Sequence, residues 1–345
     1  MAKYSVQVFC PQCGGQHDTG IKLSLEDGPA VEQSMGEFYE SKELPSDIAS
    51  LRNNTFSCPR ILEGAKSQAR NANHREFLEV SISAVASSEG VAGCGLSASQ
   101  VMQETSHRPW PLPQTRWVLF MRWHDLLFLH WPVRPEVVRP LIPGVVELDV
   151  FDGWCWIGVV PFRMSGVRPR YTPLPMAFPE LNVRTYVKTA RRTGVWFFSL
   201  DAMNWLAVRA ARWLGMPYYD ASMKMESQGD SIYYTSARNH RKAAAAEFSA
   251  SYRSTGPIYN AAPGTLDHWL TERYCLYSAL KPDRVVYGEI HHPQWRLQPA
   301  TVELRRNTMT QASKIPLSNG NPLCHFSRYQ EVVAWPIVPL EHAEF

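Results

Sequence analysis

The chain has 345 residues, 45% of them hydrophobic and 19% charged, with a formal net charge of +3. That is enough apolar material for one large and one small core, while the mild charge, without a basic run interleaved with aromatics, argues against a nucleic-acid binder. Seven cysteines at scattered positions give no disulfide framework, and no run of about 18 apolar residues exists to span a membrane.

Residues 1–80 read as a small mixed or β-rich domain. Lys3 to Phe9 alternates polar and apolar side chains, Gly20 to Leu25 is a second short strand, and Glu76 to Ser83 returns to the alternation. Between them Val31 to Ser50 has a helical period, with Phe38, Tyr39 and Ile48 on its buried side. The N-terminus from Met1 to Val6 lacks a long apolar signal core, so the expected location is cytoplasmic. Cys10-Pro11-Gln12-Cys13-Gly14 is a knuckle-like turn in which two thiolates can face one metal, with Cys58 as a third and His17 or His74 as a fourth ligand. The competing reading is a degenerate ribbon with small buried thiols, and no metal or cofactor is assigned.

Residues 81–115 are rich in Ser, Ala and Gly and then in Pro, and read as a flexible linker. From 116 to 339 aromatics become dense. Pro135 opens a short helix that Pro143-Gly144 closes. Val146 to Phe151, a turn at Asp152-Gly153 and Trp154 to Phe162 read as a hairpin. Leu181 to Lys188 and Val195 to Ala202 read as a second, and Met223 to Met225 with Ser231 to Ala237 as a third around Gly229-Asp230. Trp205 to Leu214 has helical spacing, with Leu206, Arg209, Ala210 and Trp213 at i, i+3, i+4 and i+7. Phe248 to Tyr252 and Glu289 to His291 are further strands, and Thr265 to Leu270 is a short helix. Many antiparallel strands with few helices indicate an α+β domain on a large, barrel-like sheet.

Two signals carry chemistry. In Phe178 to Val187 every second residue is polar, so Glu180, Asn182, Arg184 and Tyr186 share one strand face. Facing out, that is a solvated strand; facing into a barrel, it is a lined cavity in which Arg184 grips a carboxylate. His291-His292-Pro293 is the other. Adjacent strand residues point to opposite faces, so at most one of His291 and His292 enters a given cavity, as a proton-transfer group or as a hydrogen-bonded core histidine. His124 and His130 fall under the same choice. There is no nucleophile elbow, phosphate-binding loop, dinucleotide fingerprint or HExxH motif.

The segments HWPVRPEVVRPLIPG, ELDVFDGWCWIGVVPFRMSGVRP, FPELNVRTYV, GVWFFSLDA and IHHPQW, in order over about residues 116 to 300, resemble the bacterial family catalogued as domain of unknown function 2071. That family is similar in fold to acetoacetate decarboxylase. The resemblance therefore implies an α+β domain built on a large antiparallel cone-like β-barrel, preceded here by the small N-terminal domain. In the decarboxylases a lysine pair after a helix forms and tunes a Schiff base with a keto acid. The corresponding stretch here is Gly215-Met216-Pro217-Tyr218-Tyr219. A phenol forms no Schiff base, and Lys224 lies five residues beyond Tyr219, so the decarboxylase mechanism does not carry over. Tyr218 and Tyr219 remain as proton donors or as packing aromatics.

The expectation is a small-molecule pocket for a carbonyl or carboxylate ligand. Glu180, Asn182, Arg184 and Tyr186 bind it, and Tyr218, Tyr219 and one of His291 or His292 act in proton transfer. The alternative is a non-catalytic ligand-binding or interaction module. Nucleic acid and membrane are not expected partners, and exposed sheet edges leave a homo-oligomer open.

Overall fold

The computed structural model describes residues 2–10, 15–25, 79–84, 96–170, 175–281, 284–317 and 320–342. The chain divides into two compact units, Met1–Ser97 and Ala98–Phe345. In the first, β1 (Ala2–Cys10) pairs antiparallel with β2 (Gly15–Leu25) on one side and β3 (Glu79–Ala84) on the other. These match the three strands read from alternation. The helix expected over 31–50, and Cys13, Cys58 and His74 of the knuckle, lie outside the described residues.

The second unit is mostly β-sheet with few helices. A short helix, α1 (Ala98–Val101), precedes β4 (Leu119–Val133); α2 (Pro135–Val138) and a 3-10 turn follow. Then come β5 (Glu147–Leu148), β6 (Cys155–Pro169), β7 (Met176–Lys188), β8 (Thr193–Ala202) and α3 (Trp205–Trp213). They lead to β9 (Tyr218–Gln228), β10 (Ser231–Arg238), β11 (Glu247–Ser254) and α4 (Leu266–Thr271). The chain ends through β12 (Cys275–Lys281), β13 (Arg284–His291), β14 (Gln298–Asn307), α5 (Met309–Ala312), β15 (Leu323–Ala334) and β16 (Val338–Pro339). Among the described residues no helix is long and apolar enough to cross a membrane.

The 13-stranded sheet runs β16-β13-β12-β8-β9-β10-β11-β14-β15-β4-β6-β7-β5, with extra pairings β13 to β15 and β8 to β7. Those extra pairings turn the sheet back on itself. A wall of β8, β7, β6, β4 and β15 is common to two circuits. One returns through β9, β10, β11 and β14, the other through β12 and β13. Both ends of the wall are split. β8 pairs with β12 at Val195 and Trp196 and with β9 at Leu200 to Ala202. β15 pairs with β14 at His325 and Phe326 and with β13 at Val333 and Ala334.

The wall alternates as a two-faced sheet should. Leu127, Leu129, Trp131, Ile157, Val159, Leu181, Val183 and Val187 join one apolar cluster. Their neighbours Leu126, Phe128, Val160 and Phe162 join another on the opposite face.

Three readings change. Val146 to Phe151 and Trp154 to Phe162 do not form a hairpin. Asp152 and Gly153 make the expected turn, with φ of 49° and 80°, but only Phe151 and Trp154 bridge across it. β5 pairs with β7, and β6 lies between β4 and β7. In α3 the apolar spacing does not mark the buried side: Val208 is buried, while Leu206 and Trp213 are 57% and 87% exposed. Asn204 caps this helix, accepting from the backbone N–H of Leu206 and Ala207 at 3.1 Å each.

Residues 98–115, read as the second half of a linker, pack on the sheet. Val101 is fully buried, and the Arg108 guanidinium pairs with Glu289 while donating to Ile290 O at 2.7 Å. Trp110 Nε1 donates to the same Glu289 carboxylate at 3.1 Å. A buried cation thus meets its counter-ion on β13, the condition under which burying either is tolerable.

Candidate functional site

Glu180, Asn182 and Tyr186 are buried and Arg184 is half-buried, so the polar face of β7 is turned away from bulk water. Antiparallel register carries that face across the wall. Arg184 is opposite Gly158 on β6, Gly158 is opposite His130 on β4, and Phe128, two residues back along β4 and so on the same face, is opposite His325 on β15. Directly opposed residues share a face, so Arg184, His130, Phe128 and His325 lie on one side. Gly158 is what lets the two flanking side chains meet. A Cβ there would stand 3.1 Å from Arg184 Cγ and 3.3 Å from His130 Nε2.

Phe128 is the hub. The Arg184 guanidinium lies 5.5 Å from its ring, Trp295 meets it edge-on at 5.0 Å, and His130 stacks at 6.2 Å. No carboxylate pairs with Arg184 among the described residues. Several polar atoms here are buried without a hydrogen-bond partner: Arg184 Nε, Asn182 Oδ1, His130 Nδ1, His325 Nδ1 and the Trp295 indole nitrogen. Buried polar atoms are normally satisfied, so this face is the candidate site.

Tyr186 fixes one end. Its hydroxyl donates to Leu270 O at 2.8 Å and lies 2.8 Å from His130 Nε2. Having given its proton to the carbonyl, the phenol oxygen accepts from His130 Nε2–H. Trp269 tilts against the ring at 4.6 Å, and Arg273, paired with Asp149 at 2.6 Å, sits 4.9 Å over it. Burial raises the Tyr186 pKa and pushes that of His130 well below its ordinary value, with Arg184 and His325 adding to the effect on His130. The pair is a neutral phenol and a neutral imidazole.

At the other end of β7, Tyr218 donates to Glu180 Oε2 at 2.8 Å. Burial pushes the Glu180 carboxyl up to about 8, against the pull of the Tyr218 hydrogen bond. Near neutral pH it is largely a carboxylic acid. Burial, then the charge of Glu180, holds the Tyr218 phenol well above its usual range.

The other expected residues separate. Tyr219 projects from the next position of β9 and packs under the Arg238 guanidinium at 4.2 Å, beside the pair that Arg238 makes with buried Asp201. His291 donates from Nε2 to Val101 O at 3.0 Å and stacks on His107. It holds the 98–115 segment. His292 stacks on Tyr274 at 4.8 Å and tilts against Trp295 at 5.0 Å, one ring removed from Phe128. Burial lowers His291 to about 4 and His292 to about 3. The lysines of the second unit, Lys188, Lys224, Lys242, Lys281 and Lys314, are all exposed, and Lys224 pairs with Glu226 at 2.7 Å.

Sequence reading did not single out His325, Asp267 or Gly158. His325 Nε2 lies 3.0 Å from Asp267 Oδ1, and Asp267 Oδ2 accepts from Tyr259 at 2.9 Å. No group of three or more metal-ligating side chains occurs among the described residues.

Residues 120–331 match the family model DUF2071, described as an uncharacterized conserved protein. The uncharacterized protein YqjF of Bacillus subtilis (strain 168) is 44% identical over 230 residues, 66% of this chain and 94% of that one. Among solved structures, similarity is found to an acetoacetate decarboxylase-like enzyme from Sphingomonas wittichii RW1, with a TM-score of 0.45 and 13% identity, covering 68% of this chain and 97% of that one. The acetoacetate decarboxylase of Legionella pneumophila gives 0.43 and 14%, covering 74% and 97%. The enduracididine biosynthesis enzyme MppR with HEPES buffer bound gives 0.48 and 11%, covering 75% and 99%.

Proposed function

The chain belongs to the DUF2071 family, and from that premise we propose that the polar face of its wall lines a barrel pocket for a small organic anion bearing a carbonyl group. Arg184 is the observation that carries this reading. Arg184 is half-buried with its Nε buried and unpartnered, and no ion pair to a carboxylate is found for it among the described residues. A carboxylate ligand satisfies it bidentately. The un-ionised Glu180 acid, which accepts the Tyr218 O–H and lies four residues away along the strand, adds a donor to this face rather than a second negative charge.

Binding proceeds without a Schiff base. Tyr218 and Tyr219 follow α3 where a lysine pair would have to stand, and the five lysines of this unit point to solvent. Borohydride reduction in the presence of 2-oxobutanoate then leaves the chain's mass unchanged; a lysine adduct would remove this part of the reading.

The test is thermal unfolding of the full chain with and without 2-oxobutanoate. At ligand about 100 times Kd, linkage adds about 2.7 kcal/mol, which reads as a rise of several degrees. Arg184→Met is expected to abolish the rise. An equal rise in that variant would sink the assignment.

A further inference from the structure

Two histidines meet beside Phe128, and their partners make them different. His130 gives its Nε2–H to the Tyr186 oxygen, a neutral acceptor. His325 gives its Nε2–H to Asp267, an acid whose other oxygen is held by Tyr259. A carboxylate only accepts, so the proton of neutral His325 sits on Nε2 and the lone pair is on Nδ1. That nitrogen is buried and has no partner, in a residue only 3% exposed. His325 lies opposite Phe128 in the β4–β15 register, and the Arg184 guanidinium is 5.5 Å from that same ring. The two imidazole rings are 6.4 Å apart.

An imidazole held on one nitrogen by a carboxylate, with the other nitrogen bare, has the arrangement of a general base. The acid fixes the tautomer and stabilises the imidazolium that forms. His130 lacks such an acid, and both Arg184 and His325 oppose its protonation.

We propose that His325 is a catalytic base that takes a proton from the carbon next to the carbonyl of an anion held at Arg184, with Asp267 as its positioning residue. This rests on the ligand reading above and adds a reaction to it. The C–H bond breaks and its proton moves to Nδ1. The electron pair forms a carbon–carbon double bond, and the carbonyl pair moves onto oxygen to give an enolate. The Arg184 guanidinium, 5.5 Å from the Phe128 ring that His325 faces, is the cation on this face that offsets the new charge. Return of a proton from Nδ1 restores a keto acid, so no oxidant, reductant or second substrate is needed. The chemistry is enolisation of a 2-oxo acid, the first half of an isomerisation or a hydrogen exchange.

The groups that face His325 are Asp267, His130 and, beyond Phe128, Arg184. Burial lowers the His325 pKa and Asp267 draws it back up, which leaves the resting ring neutral and able to accept.

The experiment follows the C3 protons of 2-oxobutanoate by NMR in D2O with the full chain. Exchange well above the buffer rate is expected. His325→Gln should lower it about 100-fold or more, and Asp267→Asn about 10-fold or more, the size of general-base effects. In both variants the Arg184-dependent rise in melting temperature with 2-oxobutanoate should persist. Asp267 is half-buried, so its variant keeps the test open if His325→Gln does not fold. In Asp267→Asn the rise of rate with pH should also move to lower pH, because the imidazolium loses its carboxylate; a merely structural role would not move it. Exchange at the buffer rate beside an intact thermal shift overturns this inference and leaves the binding reading standing. Absence of the shift overturns both.

Discussion

The two faces of the wall are built by the same strands and held by the same backbone hydrogen bonds, yet one is apolar throughout while the other mixes an apolar cluster around Phe128, Val160 and Phe162 with buried polar groups. On one, Leu127, Leu129, Ile157, Val159, Leu181 and Val183 are each fully buried against other apolar groups. On the other, a step along each strand, lie His130, Gly158, Asn182 and Arg184, with polar atoms that no protein group satisfies. The first face stabilises the fold. The second draws little stability from its polar groups, since each was removed from water without full compensation. A site of this kind keeps its geometry because the face behind it is rigid.

That contrast breaks if mutations on the two faces behave alike. The largest loss of stability is expected from Leu129→Ala, about 2–5 kcal/mol by denaturant unfolding, because a filled apolar layer leaves a cavity. A pH-shaped effect that reaches a comparable size only at the upper end of its window belongs to Glu180. Its folded pKa of about 8 lies above the unfolded value near 4.5, so the unfolded state releases its proton first as pH rises. The wild-type chain therefore loses stability relative to Glu180→Gln across that window, by up to about 1.4 kcal/mol per pH unit, and the two curves run parallel below it. Tyr186→Phe removes the link between Leu270 O and His130, and a loss of about 1–3 kcal/mol is expected at any pH near neutrality. Arg184→Met should change stability least, within about 0.5 kcal/mol of wild type, while removing the thermal response to 2-oxobutanoate. A loss for Arg184→Met as large as that for Leu129→Ala would mean that the polar face is simply core.

How much of this was legible in the sequence follows from the range of each interaction. The polar row of β7 was readable because strand period alone places Glu180, Asn182, Arg184 and Tyr186 together. Tyr218 was found through its place after α3 and Glu180 through the strand period, but the hydrogen bond that joins them was not. His325 and Asp267 had no local signal. His325 reaches the site only through pairing of β15 with β4, and a single sequence does not state a register between distant strands. Gly158 is silent for the same reason: its small size matters because of what stands on either side. His291-His292 was conspicuous in sequence, yet His291 Nε2 serves the distant Val101 carbonyl and His292 Nδ1 the adjacent Pro293 carbonyl. The misread face of α3 shows the limit of periodicity, since Leu206 and Trp213 keep helical spacing while solvent covers them.

The divided edge of β15 bears on how such a chain is made. Both circuits of the sheet pass through this strand, which is also the last long one in the sequence. A ribosome that has synthesised everything up to Asn321 has therefore closed neither. Until Leu323–Ala334 emerges, β4 has a bare edge and the faces of the wall wait unsealed, a window in which nascent chains invite chaperones or pair with each other. A chain that stops just before β15 leaves the whole enclosure open.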